Sequence, residues 1–379
     1  MNILAISHFG IYSDFTSSFV HAQMAAYAAL GHRVRVIVPN AIGKNDWDGK
    51  RVSAPVKERM QDGVELVEVR YLSLSGYGEK GFNTASAIAA IKRNWRFVFG
   101  DFLPDVIHAH TLGFDSEIGA WLKHKWNCPL VVTTHGSDTS VRVLRGELDS
   151  LRCYADKADA VVAVSSKLAD KLRSCGTKTP VHSVLNGFQL HYLPNAVGKE
   201  PYSIIQVGHL LHQKRVNVTI RAFANVQKVY PTATLKIIGV GPERENLEKL
   251  ASELGIAENV SFLGQVPNQR VLEEMAKSQF FVMPSVNEGF GIVYLEAMAS
   301  GCVTIGTCGE GIADLIVSGE NGFLVEPDQP EKIADVILQC SEQPERMQEV
   351  CCKGKRDAME MTWERNAREY LRLFTRAMT

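Results

Sequence analysis

Short β-branched runs alternate with helix-period stretches along this 379-residue chain, and no other feature constrains its fold as tightly. Residues 3–6, 34–38, 64–69, 106–108, 130–133, 160–164 and 181–184 read as strands. Helical periods fall near 17–30, 84–99, 115–126, 147–157 and 167–174. Strands joined through helices build a doubly wound, mostly parallel sheet, an α/β architecture with helices on both faces. Such sheets hold ligands beyond the carboxyl ends of their strands, so those loops are where chemistry is sought. The length suits two domains, each burying its own core. One α/β domain is expected over 1–188, a Pro- and Gly-bearing linker over 189–201, a second α/β domain over 202–360 and a closing helix over 361–379.

Composition narrows the function classes. Hydrophobic residues make up 45% and charged residues 22%, globular values without a low-complexity tract. No apolar run reaches the ~18 residues that a membrane-spanning helix needs. The opening MNILAISHFG reads as a first strand rather than a leader. The eight cysteines include no C-x-x-C pair and no histidine partner at metal spacing, with Cys351 and Cys352 as plain thiols. A reduced, cytoplasmic location is therefore expected. A net charge of −1, a pI near 6.8 and no interleaved basic–aromatic tract argue against nucleic acid as a partner.

The stretch 284–301, PSVNEGFGIVYLEAMASG, carries the sharpest chemistry. It follows an apolar run over 280–283 that reads as a buried strand. It then turns through Glu288, Gly289, Phe290 and Gly291 and becomes helical from Ile292, with Leu295, Met298 and Ala299 on the buried face. Glycines at a helix mouth let bare backbone N–H groups approach an anion, and the helix dipole adds partial positive charge there. Glu288 in the loop and Glu296 about one turn into the helix both face what that mouth holds. Carboxylates accept hydrogen bonds from sugar and ribose hydroxyls. A tight turn with a solvated glutamate is the plainer reading of the same residues.

Other loops add to this. After the strand near 203–207 come Gly208, His209, Leu210 and Lys214, a phosphate-binding layout. In the first half, Asp105-Val-Ile-His108-Ala-His110 ends a strand with two histidines alternating to one face. The next strand closes with His135-Gly136-Ser137-Asp138, so three histidines and an aspartate gather at the carboxyl edge of adjacent strands. Asp138 either orients an acceptor hydroxyl or caps the following helix. Arg142, Arg145 and Arg152 follow on one helical stretch, as solvated charge or as an anion-binding groove. Thr16 or Ser17 caps the helix after the first strand, and both offer small side chains beside a ligand. Asp46-Trp47-Asp48 is an Asp-x-Asp pair in a polar loop rather than after an apolar strand, so no metal is expected there. Residues 84–102 set Lys92, Arg93 and Arg96 beside Ile88, Ile91, Trp95, Phe97 and Phe99. That stretch reads as core packing or as a face for a membrane surface. Residues 309–314 read as domain structure rather than chemistry.

Taken in order, these motifs resemble those of the retaining nucleotide-sugar glycosyltransferases of family 4. The matching features are the first-strand loop, the His-Gly-x-Asp turn, the Gly…Lys segment and two glutamates separated by seven residues. The resemblance covers nearly the whole chain. It implies the GT-B fold: two Rossmann-like, doubly wound parallel-sheet domains facing across a cleft, the first for the acceptor and the second for the nucleotide sugar. It also implies that the last helix packs back on the first domain. The implied reaction moves a hexosyl-type unit from a nucleotide diphosphate sugar, UDP favoured, to a hydroxyl of a glycan or lipid-linked acceptor. Retention, independence of metal and cofactor, and a place in surface polysaccharide assembly come with it.

Carried over residue by residue, Glu296 holds the ribose and Glu288 the hydroxyls of the donor sugar. The backbone N–H groups of Phe290, Gly291 and Ile292 meet the distal phosphate, Gly289 lines the donor site with them, and the backbone of Val266 meets the base. Gly208 and His209 line the donor site, and Lys214 stabilises the departing nucleotide. His135 approaches the donor sugar; Thr16, Ser17 and Asp138 face the acceptor with it. The chain departs from the family at His209, where an arginine is usual. Neutral imidazole supplies no full charge at pH 7, which leaves Lys214 as the chief cation. Arg215 stands where a glycine is usual. Two other classes stay open: a sugar-nucleotide epimerase of the same fold, and a non-catalytic module that binds a nucleotide sugar. Peripheral contact with the inner face of the plasma membrane stays open with the 84–102 stretch.

Overall fold

The computed structural model of the chain describes residues 1–8, 19–42, 56–73, 81–188 and 198–379. It divides into two compact units, Met1–Gly187 with Trp363–Thr379, and Phe188–Thr362. Thr16, Ser17, Asp46, Asp48 and most of the expected linker lie outside the described residues.

The first unit is built on strands β1 (Asn2–Ile6), β2 (Arg33–Ile42), β3 (Val56–Gln61), β4 (Val64–Leu72), β5 (Val106–Ala109), β6 (Leu130–Thr134), β7 (Ala160–Ala163) and β8 (Val181–Ser183). They lie in the order β3-β4-β2-β1-β5-β6-β7-β8, and only the β3–β4 pair is antiparallel. The central strands are buried along their length, as a parallel sheet covered on both faces requires, so they read as unbroken apolar runs. β3 escaped the sequence reading. Its residues VKERMQ are exposed at four consecutive positions, and an edge strand that carries charge shows no apolar periodicity.

The helices here are α1 (Phe19–Ala29), α2 (Gly81–Arg93), α3 (Trp95–Phe99), α4 (Phe114–Trp126), α5 (Ser137–Leu144), α6 (Leu148–Ala155) and α7 (Ser166–Arg173). The single helix expected over 84–99 is two, broken at Asn94, whose side-chain amide donates back to the Ala90 carbonyl at 2.8 Å. The arginine stretch is also two helices, with Gly146 at φ +72° between α5 and α6.

The second unit has strands β9 (Glu200–Val207), β10 (Thr234–Ile238), β11 (Val260–Gly264), β12 (Ser278–Val282), β13 (Val303–Thr307) and β14 (Phe323–Val325), all parallel, in the order β11-β10-β9-β12-β13-β14. Its helices are α8 (Val216–Val229), α9 (Arg244–Glu253), α10 (Asn268–Lys277), α11 (Ile292–Ala299), α12 (Pro330–Glu342) and α13 (Pro344–Met359). Both sheets wind outward in two directions from a central strand. β1 lies between β2 and β5, and β9 between β10 and β12. Connections leave opposite faces at those points, which opens a crevice beyond the carboxyl ends of β1 and β5, and of β9 and β12.

The last helix, α14 (Trp363–Met378), belongs to the first unit. It buries Trp363, Asn366, Ala367, Tyr370 and Phe374, a stripe at helical spacing, and packs with α1 in the core. Burying each of the aromatic rings contributes about 1.5–3 kcal/mol. Asn366 sets the register, accepting from the Gln23 side chain at 2.6 Å and donating to the Leu185 carbonyl at 2.7 Å. Among the described residues, no helix is long and apolar enough to cross a membrane. All eight cysteines are free thiols.

Candidate functional site

At the switch point of the second sheet, β9 runs out into Gly208 at φ +150° and β10 into Gly239 at φ +142°. A Cβ on Gly239 would overlap the Gly208 carbonyl oxygen, so the two loops approach back to back where no side chain fits. Leu210 is buried below them, and a short 3-10 turn, His212–Lys214, follows. Arg215 ends that turn in the left-handed region at φ +50°, which swings the chain into α8. The Lys214 side chain runs back along Gly208, whose added Cβ would lie 3.7 Å from Lys214 Cε. Its ammonium meets the Glu288 carboxylate in an ion pair, each side chain less than a fifth exposed. The Lys214 carbonyl accepts from the buried Gln206 side chain at 2.9 Å, which fixes the turn against the strand it left.

Glu288 sits on the loop between β12 and α11. Hydrogen bonds to its backbone hold that loop. Val286 N–H donates to the Gln213 carbonyl at 2.8 Å, tying it to the lysine turn. The buried Glu310 carboxylate accepts from Asn287 N–H at 3.0 Å and Glu288 N–H at 3.1 Å. Asn287 adopts φ +57°, and a Cβ on Gly311 would overlap the Gly289 carbonyl. Gly291 caps α11 at φ +84°, and a Cβ there would come 2.8 Å from the Tyr294 ring. The fully buried Tyr294 hydroxyl donates to the Met283 carbonyl and lies 3.2 Å from the Ser285 hydroxyl. Burial pushes its pKa up, so it stays a neutral donor. Phe290 is buried, which turns the loop backbone rather than its side chains toward the helix mouth.

The outcome is a helix start with no intrahelical partners for its first N–H groups, no acidic residue in its first turn, and an ammonium held beside it. Glu296, one turn into α11, accepts from the Asn268 side chain at 3.1 Å, and burial raises its pKa above the usual carboxylate range. Val266 is half-buried just before Pro267, the residue that leads into α10. His209 is exposed. Arg215 turns away to Asp328, 3.1 Å from its carboxylate, and does not add a second cation to the mouth. Glu310, Asn268 and Gln206 are not marked as site residues by the sequence, in which 309–314 reads as domain structure. An acidic residue followed by glycine just after a strand was the one available signal, and it fits Glu310 only.

At the switch point of the first sheet the chemistry differs. His108 and His110 do point to one face of β5, with ring centroids 4.3 Å apart, and both are buried. His108 lies 2.8 Å from the Thr133 hydroxyl, which in turn lies 3.0 Å from the Tyr370 hydroxyl on α14. His108 is therefore a core group. His110 Nδ1 lies 3.3 Å from His135 Nε2, with the two rings stacked. Burial pulls the pKa of His108 and of His135 down to about 3, and that of His110 well below its usual value. All three imidazoles are neutral at pH 7. His8, at the end of β1, pairs with buried Asp115 at 2.9 Å.

Asp138 has its oxygens occupied. One accepts from Leu112 N–H at 2.9 Å; the other accepts from the Thr134 hydroxyl at 2.8 Å and from His135 and Gly136 N–H at 3.2 Å each. It ties the loop after β5 to the loop after β6, and burial raises its pKa against the pull of those donors. Arg142 is buried, 3.2 Å from Glu147 and stacked over Tyr154. Arg152 lies on the next helix with Asp149, so the arginines form no groove. Among the described residues, no three His, Cys, Asp or Glu side chains gather as a metal site would.

Two family models match the chain: Glycosyltransferase Family 4 over residues 16–192, and Glycosyl transferases group 1 over residues 194–357. An uncharacterized glycosyltransferase of Methanocaldococcus jannaschii is 27% identical over 264 residues, 69% of this chain and 72% of that one. The N-acetyl-alpha-D-glucosaminyl L-malate synthase of Bacillus anthracis is 30% identical over 250 residues, 62% of this chain and 65% of its own. Among solved structures, the sucrose-phosphate synthase of Thermosynechococcus elongatus superposes with a TM-score of 0.78 at 20% identity, covering 99% of this chain and 98% of that one. Anabaena HepE, in complex with UDP and glucose, gives 0.76 at 18% identity, covering 99% of each chain.

Proposed function

Since the chain belongs to the family 4, group 1 glycosyltransferases and has the GT-B fold, we propose that it moves a hexosyl-type sugar from a UDP-sugar to a hydroxyl of a glycan or lipid-linked acceptor, with retention and without a metal. The observation that carries this reading is the Lys214 ammonium seated beside Glu288 at the open N-terminus of α11. A diphosphate arriving there meets amides that have no helical partner, a dipole of the right sign and one cation. The HepE structure, which holds UDP and glucose on the same fold, supports the choice of donor class.

In this reading the second unit holds the donor and the first the acceptor. The backbone N–H groups at Phe290, Gly291 and Ile292 hold the distal phosphate, and Gly208 leaves room for it. Lys214 exchanges part of its pairing with Glu288 for the phosphate, which frees a Glu288 oxygen to accept from the sugar's hydroxyls. Glu296 accepts from the ribose, and the backbone near Val266 meets the base. The bond from the anomeric carbon to the phosphate oxygen breaks as the acceptor oxygen bonds on the same face, and the departing phosphate takes the acceptor's proton. Lys214 stabilises the charge that builds on that phosphate. His135, neutral, serves as a hydrogen-bonding group and not as an acid. Asp138 positions His135 by holding its backbone. The reaction belongs on the cytoplasmic side, where eight free thiols persist, and surface polysaccharide assembly is its setting.

The test is nucleotide release from a panel of nucleotide sugars, with and without glycan and lipid acceptors. Lys214→Ala is expected to lower turnover by roughly 10²–10³, the range for losing one charge-stabilising donor, with little change in melting temperature. Wild-type turnover in that variant would refute the assignment. Epimerised donor without acceptor-dependent release would point to the epimerase class instead.

A further inference from the structure

The helices α2, α3 and α4 carry a surface that the transfer reaction does not use. Trp95 and Phe99 of α3 meet Trp121 and Trp126 of α4, with centroid separations from 4.2 Å for Trp95–Phe99 to 6.2 Å for Trp95–Trp121. Three of the chain's five tryptophans thus share one cluster, and all three are only partly buried. Cations frame it: Lys92 lies over the Trp121 ring at 5.3 Å and Lys125 over Trp95 at 5.8 Å. Arg93 and Arg96 are exposed beside them, and Phe97 stands out at 73% exposure. Residues 81–100 and 118–130 contain no aspartate or glutamate. The next acid along the chain, Asp101, is held by Arg33 at 3.0 Å.

We propose that this face docks the protein on an anionic lipid bilayer. Indole rings, apolar with one N–H, settle at the boundary between headgroups and acyl chains. Lysine and arginine extend their stems over apolar surface while the charge stays with the headgroups. Exposed Phe97 supplies apolar surface, and the four cations Lys92, Arg93, Arg96 and Lys125 supply attraction to anionic headgroups. Ordinary core packing accounts for Ile91 and Phe99, which are buried, but not for Phe97 or the cations. The face lies where α3 leads to the start of β5 and α4 returns to the start of β6. The loops that carry His110 and His135 leave the other ends of those strands, so a docked unit keeps them clear of the bilayer. The inference therefore does not depend on a lipid acceptor, nor on the proposed donor.

The experiment is sedimentation of the full chain with phosphatidylcholine vesicles, with and without phosphatidylglycerol. Binding is expected only with phosphatidylglycerol, with release near 1 M salt, where the screening length falls to about 3 Å. Brominated acyl chains are expected to quench the tryptophan fluorescence. The double variant Lys92→Ala, Arg96→Ala is expected to bind roughly 25-fold more weakly, each near-surface cation being worth about five-fold. Phe97→Ser is expected to reduce the quenching, and both variants should melt and release nucleotide as the wild type does. A wild type indifferent to phosphatidylglycerol, or a double variant that binds undiminished, overturns the proposal. So does a dimer that Phe97→Ser disperses without any vesicle binding, which would assign the face to a second copy.

Discussion

Beyond β9 and β12, a lysine and a glutamate form a half-buried ion pair, and the Glu310 carboxylate holds the backbone of the loop that carries the glutamate. Beyond β5 and β6, the imidazoles of His110 and His135 are stripped of charge by burial, and a buried aspartate spends its oxygens on four donors. The first arrangement suits an anionic ligand, because an ammonium and the bare amides of a helix start both attract negative charge. The second suits a neutral, polyhydroxylated one, because it offers hydrogen bonds and no field. Two units of like topology thus diverge through what lies at the ends of equivalent strands.

Breaking the loop support should separate the two sites most. Glu310→Ala removes the acceptor for two N–H groups and is expected to cost about 2–3 kcal/mol in stability and roughly tenfold or more in donor affinity. Denaturant melts and calorimetric titration with UDP measure both, and undiminished affinity would show that the loop stands without Glu310. Asp138→Asn tests the other site and is expected to cost about 1–2 kcal/mol, since an amide nitrogen now faces at least one N–H donor. Donor affinity should not move, while a large loss there would mean that the sites are not separate in function.

Acid should then sharpen the contrast. His108 titrates near 3 in the folded chain against about 6.5 when unfolded. Between those values the unfolded state binds a proton that the folded state refuses, so stability falls as pH drops below about 6.5 and levels off near 3. The slope from this group reaches about 1.4 kcal/mol per pH unit, and melting curves of His108→Gln should be correspondingly flatter. A variant as acid-sensitive as the wild type would place the titration elsewhere. The smallest effect belongs to Arg215→Ala, whose partner Asp328 is more than half exposed. Under about 1 kcal/mol of stability and no change in donor affinity are expected; a marked loss of affinity would return Arg215 to the donor site.

The alternation of apolar runs and helical periods was enough to read two parallel-sheet units and a closing helix over 361–379, where α14 lies. The loop from Glu288 to Gly291 was legible as well, because glycine at positive φ and a following helical period are local signals. β3 was not, since a charged edge strand has no pattern, and neither was the break at Asn94, which one side-chain hydrogen bond sets.

By itself the sequence determined the alternation of strands and helices, which residues follow β5, β6, β9 and β12, and that a lysine and two glutamates share one unit, because those are short-range properties of the chain. Only the tertiary structure decided that Glu310 holds the Glu288 loop, that Arg215 faces Asp328 and that Asp138 is filled by its neighbours. It also gathered Trp121 and Trp126 around Trp95. Such pairings join residues distant in sequence, and whether a side chain is charged, satisfied or free depends on what the fold brings against it and how much water it leaves.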